Sequence, residues 1–261
     1  MQTVIVPIDF SQTSRNAAEY AVQLLTGHYG VNMILYHIYD RASQEKEAME
    51  KLAQWSEELK SKGVVKTEIM ARQGSDFIDE LDKLARHRVA DFIIMGITGR
   101  SAIGQTLIGS NTLKMVERNV CPVLIVPPDA TFRDVKNVLL TSDFINVKDS
   151  TPSVPIKKIL KTFKPNLHVL NVDSAHYVSL TEEYQKEKAE LVEMFGSYNP
   201  EFYFLGLPDV DEAIHQFAED KKVDLIIVIH KQQNVFSKLF VKSHTKTLAY
   251  HSSIPVLALH E

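Results

Sequence analysis

The sequence predicts an α/β protein built from two tandem doubly wound domains. Three observations support this prediction: short continuous runs of Val, Ile and Leu, helical stretches between these runs, and a second copy of the pattern about half a chain later. Continuous apolar runs indicate strands that are covered on both faces. Regular alternation of strand and helix indicates a parallel sheet with crossover helices.

The first half contains five apolar runs and four helical stretches. The predicted strands are Thr3–Ile8, Asn32–Ile38, Val65–Ala71, Asp91–Met95 and Pro122–Val126. The predicted helices are Ser14–Leu25, Gln44–Lys62, Asp76–Arg86 and Asn111–Asn119. The second of these helices has Met49, Leu52, Trp55 and Leu59 on one face, which is the apolar stripe of a helix that packs on a core.

The second half repeats these runs in the same order. The matched pairs are Val4–Ser11 with Val138–Ile145, Met33–Asp40 with Leu167–Asp173, Asp91–Met95 with Asp224–Val228, and Cys121–Ile125 with Ile254–Ala258. All four pairs lie 133 or 134 positions apart, which indicates a duplicated domain. The segment Pro127–Thr131 interrupts strand pairing with two prolines. We therefore expect domains at residues 1–128 and 134–261.

The composition excludes several classes of protein. The 261 residues are 44% hydrophobic and 24% charged, which is typical of a globular protein and not of a disordered or fibrous one. The net charge of −4 gives no reason to expect nucleic acid as a partner. No apolar run is long enough for a membrane span and no signal peptide precedes the first strand. A single cysteine, Cys121, is consistent with a reducing compartment, so we expect a cytoplasmic protein.

A glycine-rich loop follows the fourth predicted strand. It contains Gly96, Gly99 and Gly109, and then Ser110 and Asn111 at the start of a helix. Glycines allow a ligand to approach main-chain N–H groups, and the N–H groups of a helix start attract anions. The loop therefore predicts a phosphate site. It is not a P-loop, because no lysine follows Gly109, and no dinucleotide fingerprint follows the first strand.

The spacing G-x2-G-x9-G-S, in this order with these strands, resembles the ATP-binding signature of the universal stress protein family. The resemblance covers the whole chain and implies a five-stranded parallel sheet of order 3-2-1-4-5 in each half. It implies that Pro7 and Met95 line a base pocket and that the backbone of Ile38 contacts adenine. The other implied roles are a ribose, phosphate or metal contact for Asp9, main-chain phosphate contacts for Gly96, Gly99 and Gly109, and added contacts from Ser110 and Asn111.

The second half departs from this pattern. Ile229, Gln232 and Lys242 stand where the first half has its three loop glycines, and only the serine persists, as Ser243. A side chain at such positions restricts the backbone and fills space that phosphates would occupy. We therefore expect one nucleotide site per chain, in the first half, and a structural role for Asp143.

Three functions stay open at this stage. The first is a stress-response regulator that binds ATP, with ADP or AMP as alternatives and Mg²⁺ possible beside the nucleotide. The second is a slow ATP-hydrolysing enzyme, for which the loop region offers only Asp9, Arg100 and a metal ion to stabilise charge. The third is a scaffold without nucleotide, in which the loop is a surface segment, Asp9 caps a helix and Ser110 does the same.

The expected partners follow from the duplication. The two halves should pack as a pseudo-dimer within the chain, two chains could form a homodimer, and a protein partner is implied but not identified. The lysines of the second-half loop form either a solvated face or an anion-binding patch. His230, His244, His251 and His260 show no H-x-x-x-H or C-x-x-C spacing, so we expect no metal site.

Overall fold

The computed structural model describes residues 2–97, 110–172, 181–230 and 253–261. The chain divides into two compact units, Met1–Phe132 and Arg133–Glu261, which are called unit 1 and unit 2 below. In the described residues each unit has a five-stranded parallel sheet, and helices connect successive strands up to β5 in unit 1 and up to β9 in unit 2. The predicted α/β class is confirmed. None of the helices in these ranges is long and apolar enough to cross a membrane.

Unit 1 has the strand order β3-β2-β1-β4-β5, as the resemblance implied. Its strands are β1 (Thr3–Pro7), β2 (Asn32–Tyr39), β3 (Lys66–Gln73), β4 (Phe92–Gly96) and β5 (Val123–Val126). Its helices are α1 (Gln12–Leu25), α2 (Glu45–Leu59), α3 (Phe77–His87) and α4 (Ser110–Glu117). The side chains of Val4, Ile5 and Val6 in the central strand are fully buried, because helices cover both faces of the sheet.

Unit 2 has the equivalent order β8-β7-β6-β9-β10. Its strands are β6 (Asn137–Thr141), β7 (Asn166–Val172), β8 (Glu201–Leu205), β9 (Leu225–His230) and β10 (Val256–His260). Its helices are α5 (Val147–Ser150), α6 (Ser153–Phe163), α7 (Glu182–Phe195) and α8 (Val210–Asp220). The core again lies at the central strand, where Val138, Leu139 and Leu140 are fully buried.

Helix α1 begins two residues before the predicted start. Its N-cap is Ser11, whose hydroxyl accepts a hydrogen bond from the N–H of Ser14 at 3.2 Å. A serine in this position satisfies one of the N–H groups that the first helical turn leaves without a partner. Helix α2, in contrast, ends at Leu59 and not at Lys62, because the chain turns through residues 60–62 towards Gly63.

Each unit has the same hydrogen bonds at equivalent positions of its own chain segment. In unit 1, a carboxylate oxygen of Asp91 accepts hydrogen bonds from the N–H groups of Gln2 and Thr3. In unit 2, a carboxylate oxygen of Asp224 accepts hydrogen bonds from those of Lys136 and Asn137. Each aspartate thereby joins the residue before the fourth strand of its unit to the start of the first strand. These equivalent hydrogen bonds agree with the duplication that was inferred from the sequence.

The units differ in the helix that follows the first strand. Unit 1 has the 14-residue α1, whereas unit 2 has the four-residue α5 and the 11-residue α6, separated by Thr151 and Pro152. Pro155 lies in the first turn of α6, which is where a residue without an N–H is tolerated. The prolines therefore divide into two helices a segment that is one helix in unit 1.

Candidate functional site

The candidate site of unit 1 lies where the strand order reverses. Strands β1 and β4 are neighbours in the sheet. The strand that follows β1 in the chain, β2, lies on one side of this pair, and the strand that follows β4, β5, lies on the other. In open α/β sheets, ligands bind in the crevice beyond the carboxyl ends of such strands. In unit 1 this edge contains Ile8, Asp9 and Phe10 after β1, and Ile97 after β4.

Asp9 presents an exposed carboxylate at this edge. Partial desolvation acts to raise its pKa, but hydrogen bonds from the Ser11 and Ser14 hydroxyls and from the Ser11 N–H outweigh it, so the pKa of Asp9 is lowered. The Ser11 N–H donates to Asp9 Oδ1 at 2.9 Å. Asp9 is therefore ionised at neutral pH, and its carboxylate can accept a hydrogen bond from a ligand hydroxyl or bind a hard cation. Ser11, and not Asp9, is the cap of α1.

An aromatic cluster follows Asp9. Phe10 has a positive φ of 64°, which turns the chain sharply between β1 and α1. Its ring lies 4.6 Å from the ring of His37 and meets Trp55 edge to face at 5.4 Å. The guanidinium of Arg15 lies 5.2 Å from the centre of the Trp55 ring. His37 Nδ1 is 2.7 Å from the carbonyl oxygen of Ile8, which fixes the end of β1 against β2.

Gly96 is held close to the first turn of α1. A Cβ on Gly96 would lie 2.5 Å from both the carbonyl oxygen and the methyl carbon of Thr13, so no larger residue fits without movement of the backbone. The buried Thr112 of α4 donates its hydroxyl to the Gly96 carbonyl at 2.9 Å. The sequence links Gly96 to phosphate contact, and the structure adds a packing reason that does not depend on a ligand.

The other predicted site residues occupy different places at this edge. Pro7 is the buried last residue of β1, Met95 is buried in β4, and Ile38 is half-buried in β2. Ser110 is the first residue of α4 and Asn111 the second. Asn111 is exposed and lines a cavity of about 360 Å³ between α3 and α4. Gly99, Arg100 and Gly109 lie outside the described residues.

Unit 2 has a more closed arrangement at the same place. Asp143 is buried, and its Oδ1 accepts the N–H of Ile145 at 3.1 Å, as Asp9 does from Ser11. Phe144 repeats the positive φ of Phe10, at 55°, and its ring packs on those of Tyr184 and Phe204. Residues 231–252, which contain the replaced glycine positions Gln232 and Lys242, lie outside the described residues.

A reactive thiol and a cluster of three or more metal ligands both find no support in the described residues. Burial raises the pKa of the Cys121 thiol to about 12, so this cysteine is not a reactive thiolate at neutral pH. Among the residues that the structure describes, no group of three or more His, Cys, Asp or Glu side chains is arranged to hold a metal ion.

Sequence analysis alone missed several residues of the site. The contacts of Phe10, His37 and Trp55 join three separate elements, and the contact of Gly96 with Thr13 joins two. The one available signal was the aromatic residue directly after Asp9, which recurs as Phe144 after Asp143.

Two doubly wound units with this strand order define a tandem α/β protein, a class whose ligands generally bind at the carboxyl edge of the sheet. The sequence model of the Universal stress protein family matches residues 1–127 and 160–260. The chain therefore belongs to the universal stress protein family, with one match in each half.

Individual proteins are also similar to this chain. A universal stress protein from Archaeoglobus fulgidus DSM 4304 superposes with a TM-score of 0.73 at 18% identity, over 99% of this chain and 98% of that one. A Thermus aquaticus universal stress protein, described as encoded in the QAH/OAS sulfhydrylase 3′ region, is 26% identical over 136 residues, 48% of this chain and 98% of its own. A universal stress protein solved in complex with cAMP is 28% identical over 48% of this chain and 95% of its own, with a TM-score of 0.41.

Proposed function

We propose that this chain is a regulator of the stress response that binds one adenine nucleotide, ATP by preference, in unit 1. The observation on which the proposal depends is the difference between the two units at the end of their first strands. Asp9 is exposed and ionised, whereas its counterpart Asp143 is buried. The glycine loop is present in the sequence of the same unit that presents the exposed carboxylate.

In this proposal the ligand contacts come from the ends of β1, β2 and β4 and from the following loop. Pro7, Ile38 and Met95 would contact the base. Main-chain N–H groups at Gly96, Gly99 and Gly109 would bind the phosphates, together with Arg100, Ser110 and Asn111. Asp9 would bind the ribose or a Mg²⁺ ion on the phosphates, since an ionised, exposed carboxylate suits either role.

The proposed role is regulation because the means for fast hydrolysis are lacking in the sequence. Phosphoryl transfer needs stabilised charge and a positioned water, and the loop has no P-loop lysine. Bound nucleotide would instead order the loop and change a surface that a protein partner or a second copy of the chain recognises. We expect slow turnover and a change in assembly on size-exclusion chromatography when ATP is added.

The first test identifies any nucleotide that the protein retains. The purified chain is denatured, and the supernatant is analysed by chromatography and mass spectrometry for moles of nucleotide per chain. About one adenine nucleotide per chain supports the proposal, and two would contradict the assignment to unit 1 alone. No nucleotide, together with no calorimetric binding of ATP, ADP, AMP or cAMP, would leave the scaffold function.

The second test locates the site. Trp55 is the single tryptophan and packs on Phe10 directly after Asp9, so its fluorescence should change when nucleotide binds in unit 1. Asp9→Asn should weaken ATP binding, whereas the matched variant Asp143→Asn should bind as the wild type does. Gly109→Lys, which copies the residue of unit 2, should abolish binding. Equal loss in the two Asp→Asn variants would contradict a site in unit 1.

A further inference from the structure

Two histidines stand side by side at the carboxyl edge of unit 2. His230 is the last residue of β9 and His260 the last residue of β10, and the two are partners in the register of these parallel strands. Strand β9 also borders β6, where the strand order of unit 2 reverses. The pair therefore lies beside the position at which ligands bind in sheets of this kind.

The equivalent positions of unit 1 have a different chemistry. Gly96 pairs with Val126 in unit 1 as Ile229 pairs with Leu259 in unit 2, so the residues that follow, Ile97 and Pro127, correspond to the two histidines. Both Ile97 and Pro127 are buried and apolar. Unit 2 thus has two imidazoles where unit 1 has an apolar pair, and it is also the unit whose sequence lacks the three loop glycines.

The separation of the two rings suits coordination of one ion. Their centres are 5.0 Å apart and their planes meet at 72°. A metal about 2.1 Å from one nitrogen of each ring lies about 3.2 Å from each ring centre, and a tetrahedral angle at the metal then places the centres about 5.2 Å apart. The observed distance between the ring centres of His230 and His260 is close to this value.

We propose that unit 2 binds one divalent transition-metal ion through His230 and His260. Imidazole is the commonest protein ligand for Zn²⁺, Cu²⁺ and Ni²⁺, whereas Mg²⁺ and Ca²⁺ prefer oxygen. Two imidazoles leave coordination positions that water or a further group completes. Each ring binds the ion through an unprotonated nitrogen, so metal binding competes with protons.

This proposal revises the expectation drawn from sequence, in which no histidine spacing indicated a metal. His230 and His260 are 30 positions apart, and only the pairing of β9 with β10 brings them together. His244 and His251 lie outside the described residues and take no part in the argument.

The test is a titration of the full-length, untagged chain with Zn²⁺ by calorimetry, after treatment with a chelator and without nucleotide. We expect one ion per chain. His230→Gln and His260→Gln should each weaken binding by about tenfold or more, because each removes one of two ligands. His87→Gln, a control at an exposed histidine of α3, should leave the affinity unchanged.

Several outcomes would overturn the proposal. If the wild type binds no Zn²⁺, the two rings are packed without a ligand. If both variants bind as the wild type does, the ion lies elsewhere in the chain. Should the variants not fold, paramagnetic Co²⁺ added to the wild type must shift the NMR signals of His230 and His260, and unchanged signals would contradict the site. No step of this test uses nucleotide, so its result is separate from that for unit 1.

Discussion

Gly96 lies where the end of β4 passes the first turn of α1. The chain is in an ordinary strand conformation there, paired with Val126, so a flexible backbone is not the reason for glycine. The reason is distance, because the carbonyl of Thr13 occupies the space that a side chain would need. A glycine next to a ligand loop can thus be required by the fold alone.

Gly96→Ala should therefore lower the free energy of unfolding of unit 1 by about 1–3 kcal/mol, through overpacking against the α1 backbone. Gly196→Ala provides the control, since the nearest atom to its added Cβ is 3.9 Å away, on Val192. That variant should be neutral or slightly stabilised. Urea unfolding of both variants measures the difference, and equal stability would show that β4 and α1 adjust at no cost.

His168 is a second residue whose surroundings determine its chemistry. It is buried in β7, with Tyr203 of β8 and Phe217 of α8 beside its ring. Burial lowers its pKa, the nearby Glu201 opposes this effect in part, and Lys221 adds to it. The equivalent residue of unit 1 is Ile34, whose side chain has no titratable group.

The stability of unit 2 should consequently depend on pH. Because the pKa of His168 is lower in the folded chain, the unfolded chain takes up the proton first as the pH falls. The contribution of neutral His168 is complete above about pH 6.5 and is lost as the pH falls through the folded pKa. His168→Ile should flatten this dependence in urea unfolding between about pH 7.5 and 5, and His87→Gln should not. An unchanged slope in His168→Ile would assign the effect to other groups.

At the scale of elements, α3 and α8 end in the same way. The N–H of Val89 donates to the carbonyl of Arg86 and that of Ala90 to Ala85, which is the pair of bonds of a Schellman motif. Helix α8 repeats both bonds at Lys222 and Val223. The motif requires a left-handed residue, and φ is 48° at Val89 and 50° at Lys222. A β-branched residue is poorly suited to this conformation.

Val89→Gly should therefore raise the stability of unit 1 by about 1 kcal/mol, because glycine adopts positive φ without the clash of a branched Cβ. The side chain of Val89 is 81% exposed, so its removal costs little packing. Lys222→Gly is the matched control in unit 2 and should gain less, since lysine is not β-branched. A loss of stability in Val89→Gly would contradict the prediction that the left-handed conformation of Val89 is strained.

At the scale of the whole molecule, Asp91 and Asp224 hold equivalent strands. Replacement of either by Ala removes the acceptor of two backbone N–H groups and should cost about 1–3 kcal/mol in its own unit. Hydrogen exchange followed by mass spectrometry should show faster exchange in β1 for Asp91→Ala and in β6 for Asp224→Ala. Exchange that rises in neither strand would show that these carboxylates do not stabilise the strand starts.

Much of this fold could be predicted from the sequence, because the strands are local and continuous. The runs around Val4–Val6 and Val138–Leu140 identify the central strands, and the repeat identifies two copies. The helix boundaries were less accessible. The start of α1 depends on the hydrogen bond at its N-cap Ser11, next to the turn at Phe10. The division of α5 from α6 lies at prolines of the second half, where the sequence analysis had not assigned individual helices.

The candidate site was predictable only in part, because its remaining contacts join distant residues. The sequence points to Asp9 and to the glycine loop through spacing along the chain. It contains no sign that Thr13 limits the residue at position 96, or that two histidines 30 positions apart share a strand register. Such contacts depend on which strands become neighbours, and the sheet order supplies that information.

The end of the first strand offers a lesson about common descent. His37 contacts the carbonyl of Ile8 in unit 1, and Asn171 donates to the carbonyl of Ser142 at the equivalent point of unit 2. An imidazole and a carboxamide thus meet the same backbone oxygen, although an alignment scores the two letters as a mismatch. In these two divergent halves, the position of a hydrogen bond is kept although the residue that makes it differs. Searches for further lost duplications would gain sensitivity by comparing those places as well as the residue types.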